Sequence, residues 1–129
     1  MPITAVYAAL LALLFLVLTF RTIGLRRARK VEIGDGADKE LLRRIRVHAN
    51  FAEYVPIALV LMALAESMQL GSVVLHGIGA VLVVGRVAHA YGLSQTPHIL
   101  PLRVLGMVAT LTAIMAGIVA CLWLSAARL

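Results

Sequence analysis

The stretch that decides the fold is residues 3–20, ITAVYAALLALLFLVLTF, in which no side chain is charged. A helix needs about 20 apolar residues to cross the ~30 Å hydrocarbon core of a bilayer. A basic cluster follows directly, formed by Arg21, Arg26, Arg27, Arg29 and Lys30. A cleaved signal peptide carries its positive charge before the apolar run rather than after it. The order of the two segments therefore predicts a retained membrane helix whose N-terminus lies outside the cytoplasm.

Three further stretches have the length and composition of membrane helices, and polar turns separate them. We predict four helices, at about residues 3–25, 45–67, 73–92 and 102–125. Apolar residues make up 62% of the 129 residues and charged residues only 14%. Lipid, rather than a protein interior, must therefore solvate much of the side-chain surface. The predicted fold class is all-α, as a single integral-membrane four-helix bundle over residues 1–129.

The basic residues are distributed unevenly among the loops. The chain has 12 Lys and Arg against 6 Asp and Glu, a formal net charge of +6. Ten of the 12 lie in or beside the first loop, about 26–40, and the third, about 92–101, whereas the connection at 67–72 has none. Cytoplasmic loops of membrane proteins are enriched in Lys and Arg. The bias indicates a multi-pass protein of a bacterial inner membrane, with loops one and three in the cytoplasm and both termini outside, rather than nucleic-acid binding.

The second helix carries a polar face that runs inward from its predicted cytoplasmic end. At 100° per residue its polar residues fall within about a 100° sector; they are Arg43, Arg46, Asn50, Glu53 and Tyr54. Arg86 and His89 are adjacent on the third helix at i, i+3, and Arg103 begins the fourth. A charge at the bilayer centre costs at least ~2.5 kcal/mol, so such groups normally face protein or water. Arginines from three helices at one depth predict a pocket for a small anion with several carboxylates.

Structural explanations compete with this interpretation at several positions. Arg103 can be an interfacial anchor, and Glu53 can pair with Arg46 or Arg86 only to stabilise the bundle. Cys121 lies alone in an apolar run, which is typical of a packing thiol. No residue pair has the spacing of a metal site, so none is predicted. The fourth helix has small residues at spacings of three and four, which is typical of close helix packing; they are Gly106, Ala109, Ala113, Ala116, Gly117 and Ala120.

Residues 46–56, RVHANFAEYVP, resemble the signature of the MAPEG family, the membrane-associated proteins of eicosanoid and glutathione metabolism. That family includes microsomal glutathione transferases, leukotriene C4 synthase and microsomal prostaglandin E synthase. Two shorter segments, RVAH at 86–89 and PLR at 101–103, occur in the family's order. Because the chain length and the four helices agree as well, the resemblance covers essentially the whole chain.

The resemblance implies a homotrimer that binds glutathione, its co-substrate, between neighbouring subunits near the cytoplasmic side. One subunit's share of the glutathione site would be Arg46, Asn50, Glu53, Tyr54, Arg86 and His89. The neighbouring subunit would contribute His48 and either Arg26 or Arg27. The direction of His48 on its helix, about 200° from Arg46, fits a site shared across an interface. Arg103 matches the arginine that the family places beside the glutathione sulfur, which makes it the catalytic candidate.

The implied function is a membrane glutathione transferase that joins the glutathione thiolate to hydrophobic electrophiles from the bilayer, with or without peroxidase activity towards lipid hydroperoxides. One departure concerns a tyrosine that eicosanoid-forming members have four residues after the third-helix histidine, because Leu93 stands there. This leaves open a non-catalytic scaffold of the same family that binds lipid and glutathione. A small four-helix exporter is disfavoured, since such proteins rely on a carboxylate in the first membrane helix and residues 3–20 contain none.

Overall fold

The computed structural model describes residues 1–129 as four α-helices without strands. The helices are α1 (Pro2–Arg29), α2 (Lys39–Ser67), α3 (Ser72–Ser94) and α4 (Leu100–Ala126). All four are long and apolar enough to cross a membrane, which confirms the predicted all-helical membrane architecture. Each predicted apolar segment lies within one helix, and α1 and α2 extend beyond their segments into the basic residues that flank loop one.

Helix α2 begins six residues before its predicted apolar segment because Asp38 caps it. Asp38 Oδ1 accepts hydrogen bonds from the backbone N–H groups of Glu40, at 2.8 Å, and Leu41, at 3.0 Å. Such a cap satisfies donors that have no partner within the helix. Arg29 Nε lies 2.9 Å from Asp38 Oδ2 and ties the end of α1 to the start of α2. The Leu41 and Glu40 N–H groups, together with the Arg29 guanidinium, hold the pKa of Asp38 below its ordinary value.

Loops one and three lie at the same end of the bundle. Arg43, in the first turns of α2, donates to the Gln95 carbonyl at 3.2 Å and to the Thr96 hydroxyl. Arg21, near the end of α1, lies 3.4 Å from the Ser94 hydroxyl at the end of α3. The two basic loops therefore share one end, as the charge distribution predicted for a pair of loops on one side of a membrane. Which side that end faces stays a prediction.

The connection between α2 and α3 lies at the opposite end, with both termini. Glu66 accepts hydrogen bonds from the backbone N–H groups of Ile3, at 3.0 Å, and Thr4, at 2.8 Å. It supplies the acceptors that the first turn of α1 lacks. Arg128 donates to the Met68 carbonyl at 2.7 Å and holds the C-terminus to the same connection.

Helices α3 and α4 approach closely where Gly106 faces Gly85. Gly106 of α4 lies against the backbone of Gly85 and His89, and a Cβ placed on it would lie 2.5 Å from the Gly85 carbonyl oxygen. The buried residues of α4 are Gly106, Thr110, Ala113 and Gly117. The small residues of α4 therefore pack against the bundle, as their spacing predicted, and Thr110 belongs to the same face.

The bundle is open between its first and last helices. Helix α1 contacts α2 and α3, and α4 contacts the same two, but α1 and α4 do not contact each other. Large apolar side chains cover the outside, with Leu13, Val84 and Leu122 each more than 60% exposed. In a bilayer these surfaces contact lipid or another protein chain.

A groove between three helices with two unpaired cations

The central feature of the loop-three end is a groove of about 520 Å³ that receives polar side chains from three helices. Its polar lining consists of Asn50 and Tyr54 from α2, His89 from α3 and Arg103 from α4. Its apolar wall is contributed by α4 and consists of Leu100, Val104, Met107, Val108 and Leu111. Four of the residues predicted for one subunit's site therefore meet around one space, with an apolar surface beside them.

Arg86 lies behind this groove and is completely buried, with 0% of its surface exposed. Its Nη2 donates to Asn50 Oδ1 at 2.7 Å, and its Nη1 lies 3.4 Å from the Thr110 hydroxyl. Its guanidinium carbon is 5.6 Å from the centre of the Phe51 ring, within the range of a cation–π contact. Nε has no partner in the chain. A charge buried at this depth and held only by neutral groups is unusual and costly.

Thr110 and Phe51 are parts of this site that the sequence interpretation missed. Thr110 donates its own hydroxyl proton to the Gly106 carbonyl at 2.8 Å, so its oxygen lone pair faces Arg86. The sequence did contain a signal for Thr110, because it is a polar residue four positions after Gly106 and so lies on the face of small residues. Phe51 lies inside the RVHANFAEYVP motif, but aromatic residues are so common in helix cores that its type alone gave no signal.

His89 connects α3 to the start of α4. It is 3% exposed, and its Nδ1 lies 3.1 Å from the backbone carbonyl of Arg103. Because a carbonyl only accepts, Nδ1 carries the proton in this contact. Nε2 is buried and has no partner in the chain. The histidine therefore fixes the backbone from which the Arg103 side chain extends into the groove.

No carboxylate of the chain pairs with either Arg86 or Arg103. The salt bridges involve Arg29 with Asp38 and Glu40, Arg44 with Glu40, and Arg46 with Glu53. The lining of the groove thus contains one cation, Arg103, and no carboxylate, and Arg86 lies behind it, which makes an anionic ligand electrostatically favourable there.

Arg46 and Glu53 lie on the same helix as Asn50 but outside the lining of the groove. Arg46 Nη1 is 4.0 Å from Glu53 Oε1, and both side chains are more than half exposed. Of the two partners considered for Glu53, the structure gives Arg46 and not Arg86. An exposed pair at this distance contributes little to stability, so both side chains are available to a ligand.

Arg26 and Arg27 line a different pocket, of about 410 Å³, at loop one. Arg26 Nη1 donates to the Gly34 carbonyl at 2.8 Å and so holds the loop. Because α1 does not contact α4, this pocket and the groove at Arg103 are separate within one chain. The structure does not bring these two predicted residues together with the others.

The direction of His48 has an explanation inside its own chain, so the prediction that it points to a neighbouring subunit is wrong. His48 Nε2 lies 3.0 Å from the Thr19 hydroxyl, and its ring stacks on Phe15 with centroids 4.6 Å apart. The ring thus packs against α1 of the same chain, so no neighbouring subunit is needed to accommodate it. The direction of His48 is therefore no sign of a shared interface, because helical periodicity gives the angle of a side chain and not the identity of the helix that it meets.

Comparison with known proteins gives one family and two close relatives. Residues 4–123 match the sequence profile of the MAPEG family. The chain is 39% identical over 121 residues to the inner membrane protein YecN of Escherichia coli strain K12 and to YecN of Escherichia coli O6:H1. The matched region covers 94% of this chain and 91% of each relative. The relatives' name gives a location and no activity.

Proposed function

Since the chain belongs to the MAPEG family, as the second-helix motif predicted, we propose that it is a glutathione transferase of a bacterial inner membrane. The proposed co-substrate is glutathione and the second substrate a hydrophobic electrophile dissolved in the bilayer. Peroxidase activity towards lipid hydroperoxides would use the same thiolate. Membership of the family establishes a membrane protein of the MAPEG type. The transferase activity is our proposal.

The observation that carries the proposal is the groove with two unpaired cations. Glutathione offers two carboxylates and a thiol, which suit a site with Arg103 at its edge and Asn50 and Tyr54 on its wall. The exposed Arg46 and Glu53 lie on the same helix; Arg46 would bind a carboxylate and Glu53 the ammonium group. The apolar wall of α4 gives the electrophile a surface continuous with lipid.

Arg103 would activate the thiol. A free thiol has a pKa of about 8.5 and is only a few per cent ionised at neutral pH, and a nearby cation lowers that value. The thiol proton leaves to water, and the sulfur then attacks the electrophilic carbon, forming a C–S bond as the leaving group departs with its electrons. Arginine suits this role because it stays protonated next to an apolar surface.

The proposal includes a homotrimer with loops one and three in the cytoplasm. Within one chain Arg26 and Arg27 line a pocket that shares no residue with the groove. In a ring of three subunits, loop one of one subunit would supply them to the groove of the next. The electrophile would enter between α1 and α4 of neighbouring subunits.

Subunit mixing tests the shared site. Arg27→Ala and Arg103→Ala chains, each expected to be strongly impaired alone at neutral pH, should regain activity when they are co-expressed. If the two chains mix at random, about three quarters of the trimers contain both chains, and each of these has one intact site out of three. About a quarter of the wild-type activity should therefore return. No recovery in mixed trimers would place the whole site within one chain.

The transferase activity is tested with purified protein, glutathione and 1-chloro-2,4-dinitrobenzene. Arg103→Ala is expected to retain glutathione binding but to show less thiolate absorbance and a slower reaction that recovers partly at high pH, where the thiol ionises unaided. Arg128→Ala is the matched control, because Arg128 holds the opposite end of the bundle. Wild-type thiolate absorbance and pH dependence in Arg103→Ala would exclude it as the activating group.

A glutathione-binding scaffold without turnover is the second candidate, and Leu93 favours it. Leu93 packs partly buried against the hydrophobic core and brings no hydroxyl to a position where eicosanoid-forming relatives have tyrosine. This candidate predicts wild-type protein that binds glutathione yet produces no thiolate absorbance and no conjugate with any electrophile tested.

A further inference from the structure

The buried Arg86 defines which end of the Asn50 amide faces it. The two groups are 2.7 Å apart in a hydrogen bond. A guanidinium group has five donors and no acceptor, so the amide atom that it meets must be the oxygen. The NH₂ end of Asn50 is therefore the end that is not held by Arg86, and it donates to no other group of the chain.

Asn50 is half-buried and lines the groove, whereas Arg86 is fully buried and does not line it. Arg86 is held from behind by the Thr110 hydroxyl and by Phe51. Since its contacts all lie inside the bundle, a ligand in the groove reaches Asn50 without reaching Arg86.

We propose that Arg86 is a positioning residue, which fixes the Asn50 amide with its NH₂ group towards the groove and does not itself touch the ligand. Asn50 then donates to an anionic group of the bound tripeptide, either a carboxylate or the thiolate. The inference rests on the proposed function, since it takes glutathione as the ligand. It replaces the direct Arg86–glutathione contact that the family resemblance implied.

The arrangement makes this part of the groove selective for acceptors. An amide that is free to turn offers a donor or an acceptor with similar ease, and it adapts to either kind of ligand. With its oxygen bonded to a buried cation, Asn50 offers only donors. The bond to a charged group also polarises the amide and strengthens its outward N–H groups.

Replacing Asn50 by aspartate tests the orientation through the sign of its effect. In Asn50→Asp one carboxylate oxygen keeps the bond to Arg86, and the other faces the groove in place of the NH₂ group. Glutathione binding, measured by calorimetry in detergent micelles, should weaken by about tenfold or more because a donor to an anion becomes a like charge. The thermal unfolding midpoint should not fall, since Arg86 gains a charged partner. Equal or tighter binding would mean that the ligand offers a donor to Asn50, and would overturn the inference.

A double-mutant cycle tests whether Arg86 acts only through Asn50. The variants are Arg86→Met, Asn50→Ala and the double variant, all measured for glutathione dissociation constants. If Arg86 is a positioning residue, the double variant should bind within about twofold of Asn50→Ala. If the fold increase of the dissociation constant in the double variant equals the product of the two single increases, Arg86 contacts the ligand directly and the inference is overturned.

Two results separate the inference from the proposed function. Wild-type protein that binds no glutathione overturns both together. Wild-type protein that binds glutathione, with tighter binding in Asn50→Asp or independent effects in the cycle, overturns the inference alone. If Asn50→Ala fails to fold because it leaves Arg86 without its main partner, Asn50→Asp still decides the orientation.

Discussion

Replacing Gly106 by alanine tests whether the α3–α4 contact holds the site together. The added Cβ would lie 2.5 Å from the Gly85 carbonyl oxygen, about 0.9 Å short of the 3.4 Å at which ordinary contact begins. The three nearest atoms are the Gly85 carbonyl oxygen and the backbone nitrogen and Cβ of His89, all fixed by the backbone of α3, so none can turn away as the end of a side chain can. The two helices must therefore separate at this level.

That separation also breaks the polar contacts between the two helices. The bond between Arg86 Nη1 and the Thr110 hydroxyl is already 3.4 Å long, and an increase of a few tenths of an ångström removes it. Overpacking a core typically costs about 1–3 kcal/mol, and a buried donor left unpaired costs a similar amount. We expect Gly106→Ala to lower the free energy of unfolding by about 2–5 kcal/mol and to weaken glutathione binding, because His89 and Arg103 move with the helices.

The measurement is unfolding in mixed dodecylmaltoside–SDS micelles, followed by far-ultraviolet circular dichroism. Gly77→Ala is the matched control, since Gly77 lies in the interior of α3 with no atom within 4 Å of an added Cβ. Alanine is the better helix former, so the control should be neutral or slightly stabilised. The reasoning is refuted if Gly106→Ala is as stable as Gly77→Ala.

Three further results are expected. Arg46→Ala and Glu53→Ala should each raise the glutathione dissociation constant about tenfold, and unchanged binding in both would leave them as a surface pair. In a chain without its native cysteine, Glu32→Cys and Ser72→Cys should react with a membrane-impermeant thiol reagent from opposite sides of intact membranes, and labelling from one side would contradict the topology. Asp38 has a lowered pKa in the folded state, so the stability lost in Asp38→Asn should be largest at neutral pH. That difference should disappear as the pH falls below about 4 and through the folded-state value; a constant difference down to low pH would assign the effect to the cap geometry alone.

The sequence predicted the four helices well because the bilayer imposes a length and a composition that are visible without any knowledge of packing. The helix ends were less predictable. Residues 39–44 are helical in the structure, yet four of the six are charged and they lie outside the predicted apolar segment. Their start is set by Asp38, whose capping role depends on hydrogen bonds that a hydropathy pattern does not contain.

The sequence identified the residues of α2, α3 and α4 that line the groove, but it did not predict how they are arranged around it. Helical periodicity places Asn50 and Tyr54 on one face, and both line the groove. The same periodicity cannot tell that Arg86 points into the bundle rather than into the groove, because that depends on the glycines that let α4 approach α3. His48 shows the same limit, since its partner, Thr19, is 29 residues away and carries no signal of its own.

The two cations of the site differ in what they can do, and the difference follows from their surroundings. Arg86 is enclosed, with both terminal nitrogens occupied by Asn50 and Thr110, so it has no freedom to follow a reacting group. Arg103 is exposed on the groove, and only its backbone is held, through His89. A thiolate that forms on a bound ligand requires a cation whose N–H groups are open to the groove. The buried arginine suits the orientation of Asn50, whereas the exposed one, which lines the groove, suits the charge on sulfur, which is why we propose positioning for Arg86 and thiol activation for Arg103.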